Sequence, residues 1–95
     1  MLWNMNFEET DMLYREAGEW LRKQRQHWQI TQAELAELAC IGDVSLIDSI
    51  EKGQVALPGF MQATVAGAYG LDRSELAGYC EAWYGQEIAR AVKAA

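Results

Sequence analysis

The chain has 95 residues, a formal net charge of −6, 51% hydrophobic residues, one proline and two cysteines. That is the length of one small domain, able to bury a single core without disulfides or metal. The composition excludes a disordered chain, the two isolated cysteines exclude a disulfide framework or a cysteine-rich zinc site, and no apolar run approaches the ~18 residues of a membrane span.

The opening residues, Met1 to Glu9, carry no basic region and no cleavage pattern, so no signal peptide is expected. Cys40 and Cys80 stand far apart and suit a reducing cytoplasm, where both are expected as buried small hydrophobes. A chain that neutralises phosphates is usually basic, so the net charge argues against nucleic acid unless a local basic face exists.

No repeat, low-complexity stretch or Gly/Ser linker divides the chain. Gly42, Gly53, Pro58-Gly59 and Gly70 punctuate it at intervals suited to short helices. The first segment runs from about Asn6 to Trp28. Asn6 with Glu9 resembles a capping box, and Thr10 is a second possible start. Leu13, Ala17, Trp20, Leu21 and Trp28 fall at helical spacing. Gly18 interrupts them at a cost of ~1 kcal/mol relative to Ala, leaving one bent helix or two.

Thr31-Gln32-Ala33-Glu34 is a cleaner capping box, followed by Leu35, Ala36 and Ala39 on one face. That helix should stop near Ala39 or Cys40. Asp43 can cap the next helix, with Ile47 and Ile50 inward and Gly53 as its end. Pro58 opens a fourth helix, with Phe60, Val65, Ala66 and Tyr69 inward. Asp72-Arg73-Ser74-Glu75 opens a fifth through Leu76, Tyr79, Cys80 and Trp83. Ile88 and Val92 suit one more helical face in the tail. With no period-2 alternation, the chain reads as all-α, with five to seven helices.

In order, Gly18 to Arg25, Ile30 to Ala36, Ile50-Glu51-Lys52-Gly53, Pro58-Gly59-Phe60 and Val65 to Asp72 resemble the phage-repressor and Cro type of helix-turn-helix domain, the XRE class. The resemblance covers about sixty residues, ending at Leu76. It implies a five-helix bundle over residues 18–76, with helical extensions at 1–17 and 77–95. It also implies a salt bridge between Arg25 and Glu51. Gln32 would sit on a DNA phosphate, with Thr31 beside it at a helix N-terminus and Lys52 on the same backbone. The base-facing positions fall on Val44, Ser45 and Ser49 of a recognition helix from Val44 to Lys52.

The chain also departs from that pattern. One extra residue separates Gln32 from Glu51, with Gly42 as the insertion. The base-facing positions carry no Arg, Lys, Gln or Asn, and Asp43 and Asp48 flank them. The following loop, Gln54-Val55-Ala56-Leu57, is uncharged. Residues 18–57 hold four Lys or Arg against six Asp or Glu, so the motif itself is acidic.

Two functions follow. The first is a DNA-binding transcriptional regulator on a double-stranded operator, working as a homodimer; Trp3, Phe7, Leu13, Trp20, Trp83, Tyr84, Ile88 and Val92 of the extensions either form the dimer interface or fold back on the same core. The alternative is an acidic helix-turn-helix turned protein-binding module, docking a partner on Val44, Leu46, Val55 and Leu57. Arg22, Lys23 and Arg25 are either a phosphate grip or an ordinary solvated face with Arg25 tied to Glu51. His27 lacks partner ligands, so no metal or cofactor is expected. Ser45, His27 and Asp48 share no pattern that would assemble a triad, so no enzyme is expected.

Overall fold

A computed structural model describes residues 14–85. The capping residues expected at Asn6, Glu9 and Thr10, the aromatic and aliphatic residues Trp3, Phe7 and Leu13, and the tail pair Ile88 and Val92 lie outside them. The described chain is all-α. Its elements are α1 (Arg15–His27), α2 (Gln32–Leu38), α3 (Ser45–Glu51), α4 (Gly59–Ala68) and α5 (Arg73–Cys80), followed by a π-helical turn, Glu81–Gly85. None of these helices is long and apolar enough to cross a membrane.

α1 is one unbroken helix through Gly18, and the reason is tertiary. A Cβ on Gly18 would stand 2.5 Å from the Glu51 carbonyl oxygen and 2.6 Å from that of Ile50. The glycine therefore lets α1 cross directly over the end of α3, and the local cost in helix propensity is offset there. Ala17 and Leu21 bury beside that crossing.

α2 starts as its capping box dictates. The Glu34 N–H donates to Thr31 Oγ1 at 3.0 Å, and the Thr31 N–H donates to Glu34 Oε1 at 2.9 Å. The helix ends at Leu38 and turns at Cys40, whose φ of +57° is left-handed. Cys40 is exposed, not buried as expected; only Cys80 enters the core. A left-handed position after a helix favours glycine. Cys40→Gly should therefore stabilise the domain by about 0.5–1 kcal/mol in a urea titration.

Asp43 does tie down the start of α3, accepting the Ser45 N–H at 2.9 Å. α3 is slightly shorter than the expected 44–52, because Val44 and Lys52 flank it. Ile47 and Ile50 point inward. Gly53 then reverses the chain at φ +81°, pressed against the backbone of Tyr14 and Arg15.

Phe60 is a correction. It is 70% exposed, and Met61 takes the inward position with Val65, Ala66 and Tyr69. Positions 61, 65 and 69 recur every four residues along α4 and its cap, while Phe60 lies ~100° away round the helix. Leu57 is a second correction: at 4% exposure it is core and cannot serve a surface patch.

The expected division at residues 17/18 falls inside α1, and that at 76/77 inside α5. Trp83 and Tyr84 fold back onto α1 rather than away from it: Tyr84 meets Tyr14 edge-on at 5.3 Å, and Trp83 meets Trp20 at 5.3 Å. Tyr79 is 42% exposed and stacks on Trp83 at 5.8 Å. These rings join the first helix to the last described turn. Burial pushes the Tyr84 phenol up to about 12.

Candidate functional site

The short helices α2 and α3 meet at small and branched apolar residues, with Leu35, Ala36, Ile47 and Ile50 in one core. A polar network locks them above it. Arg25 of α1 donates from Nε to Glu51 Oε2 at 2.6 Å and from Nη2 to Glu51 Oε1 at 3.0 Å. Its Nη1 donates to the Ile30 carbonyl at 2.8 Å, fixing the turn between α1 and α2. The pair is planar and two-pronged, the strong form of an Arg–carboxylate contact.

Gln32 completes the network from the first turn of α2. Its Nε2 donates to Glu51 Oε1 at 3.1 Å and to Asp48 Oδ1 at 3.3 Å. Glu51 is buried, and both its oxygens are satisfied. Tyr69 packs beneath; desolvation, with the neighbouring Glu51 charge, holds its phenol far above the ordinary range. On the open side, Lys52 Nζ meets Asp48 Oδ2 at 2.8 Å. That bond, with the one from Gln32, keeps the Asp48 carboxyl below its usual range.

The residues expected at bases lie along the outer side of this pair. Val44 and Ser45 are exposed and Ser49 is half-buried. Ser45 is not free, since its hydroxyl donates to Asp43 Oδ2 at 2.7 Å. That bond and the one from the Ser45 N–H lower the Asp43 pKa. Thr31 spends its hydroxyl oxygen on its own helix cap, and the Gln32 amide is aimed at α3. Of the four residues expected to form a docking patch, Val44 and Val55 are exposed, Leu46 packs partly on the core, and Leu57 is inside it.

Beside the network lies a cleft of about 360 Å³ between α1 and α3. From α1 it is lined by Arg15, Glu19, Arg22 and Arg25. Across it stand Asp48, Glu51 and Lys52, with Gln32 from α2.

No family model, curated protein or solved structure matches the chain.

Local geometry alone therefore bears on function. Among the described residues no cluster of His, Cys, Asp or Glu could hold a metal ion. Arg15 and Glu19 are not singled out by the sequence, whereas Arg22 is weighed there with Lys23 and Arg25 as a phosphate grip or a solvated face. The signal was present in the spacing: residues 15, 18, 22 and 25 recur at three and four along α1, the side on which Gly18 touches α3.

Proposed function

We propose that the chain is a DNA-binding transcriptional regulator of the helix-turn-helix type, acting as a dimer on a double-stranded operator. The observation that supports this most is the Arg25–Glu51–Gln32 network. It fixes α3 against α2 without using Val44, Ser45 or Ser49; outside the network the Ser45 hydroxyl is held by Asp43, and Lys52 by Asp48. A rigid short helix with its outer side left to solvent is what insertion into a major groove requires. Val44 would meet a thymine methyl and Ser49 a base edge, with Lys52 on phosphate. Ser45 would read a base by releasing Asp43. Pairing of two copies would place two such helices about one helical turn of DNA apart.

The test is binding to random duplex DNA over a range of salt, followed by selection of the bound sequences. Binding is expected in the micromolar range, weakening linearly on a log–log plot of affinity against salt, with a palindrome enriched. Lys52→Glu should abolish it. No binding even at low salt would overturn the reading.

A second reading, a protein-binding module, is favoured by the exposed Val44, Val55 and Phe60 and by the net charge of −6. It expects Lys52→Glu to be harmless and Val44→Asp to abolish partner capture.

A further inference from the structure

We propose that the cleft between α1 and α3 is a seat for backbone phosphates of duplex DNA, gripped by Arg15 and Arg22 together with Lys52. This rests on the DNA-binding reading above.

Charge distribution supports it first. The described residues include six Lys or Arg, and Arg15, Arg22, Arg25 and Lys52 line this one cleft, leaving Lys23 and Arg73 elsewhere. The acidic total thus conceals a local gathering of cations. The loop after α3, Gln54 to Leu57, carries no charge, so no cation holds the DNA backbone from there.

Three carboxylates, Glu19, Asp48 and Glu51, share the cleft with these four cations and leave it a net charge of +1. Glu51 is already spent on Arg25 and Gln32. Asp48 and Glu19 pair with Lys52 and Arg15 only as exposed neighbours one helical turn apart, the latter at 3.7 Å. Exposed pairs of this kind are weak, so either cation can swing to a phosphate at little cost. Arg22 has no ion-pair partner among the described residues, and it presents a planar fork suited to a phosphate.

Position supports it too. On α3 the stripe of Asp48 and Lys52 lies next to the stripe of Ser45 and Ser49, separated by ~60° round the helix. A groove read by Ser45 and Ser49 would therefore bring its flanking strand over the mouth of the cleft.

The experiment uses the full chain and a fluorescein-labelled random duplex, read by anisotropy from about 50 to 200 mM salt. Arg15→Ala and Arg22→Ala are compared with Lys23→Ala, which changes the same charge outside the cleft. All three side chains are exposed, so folding should be kept, and far-ultraviolet circular dichroism checks it. Each cleft variant should weaken binding roughly tenfold, on every sequence alike. Each should also make the salt slope shallower by about one, while Lys23→Ala stays within about twofold of the parent. If the parent binds and the cleft variants bind like Lys23→Ala, the seat is wrong and the DNA reading stands. Equal losses in all three would overturn the seat as well, in favour of diffuse charge. If the parent itself does not bind, both proposals fall.

Discussion

Glu51→Ala is expected to cost about 3–5 kcal/mol, enough to leave a domain of this size largely unfolded at room temperature. The substitution leaves the Arg25 guanidinium, whose side chain is only 13% exposed, without its carboxylate. It also removes one of the two acceptors of the Gln32 amide. The loss comes from the charge left behind, not from the net strength of the pair. The double variant Arg25→Met/Glu51→Leu should therefore be distinctly more stable than Glu51→Ala alone, since it removes both charges and keeps the volume. Urea titrations followed by circular dichroism measure the difference. A single variant as stable as the parent would show that water already screens the pair.

Gly53→Ala should be nearly as damaging, by about 3 kcal/mol, a fall in melting temperature of roughly 12–24 °C. Two costs add here. The residue sits at φ +81°, where an L side chain is strained, and its Cβ would stand 2.6 Å from Arg15 Cα and 2.7 Å from Arg15 N. Those contacts are backbone, so no side-chain rotation relieves them. Gly42→Ala is the matched control: its Cβ meets nothing within 4 Å and its φ is not left-handed. It should change stability by less than about 0.5 kcal/mol. Equal melting temperatures for the two variants would contradict the close approach of the α3 exit to the start of α1.

Much of the fold was legible where local chemistry decides it. Thr31 and Glu34 announce α2 because the capping box closes within four residues. Ile47, Ile50, Val65, Ala66 and Leu76 lie inside as their spacing indicates. The pairing of Arg25 with Glu51, 26 residues apart, came from family resemblance and not from any local pattern. What escaped was set by packing between elements. Phe60 and Met61 are adjacent apolar residues, and only the orientation of α4 against the core decides which one is buried. Gly18 looks like a defect to any rule that weighs a helix alone, because its use lies in the carbonyls of α3. Leu57 sits in a segment without helical period, so nothing nearby marked it as core.

The candidate site was legible in part. Gln32 was correctly placed at the opening of α2, but its amide turns toward α3 because two carboxylates await it there. The cleft was missed because its α1 and α3 walls are 23 or more residues apart in sequence, so no local window shows the two together.

The aromatic closure between α1 and the π-helical turn has a consequence for how the chain reaches its native state. Tyr14 and Tyr84 are seventy positions apart, and Trp20 and Trp83 are sixty-three. During synthesis α1 emerges first and must wait, with Trp20 uncovered, until nearly the whole domain has left the ribosome. Such long-range closure raises the entropic barrier and ties the two ends into one cooperative transition, so folding should follow synthesis rather than accompany it.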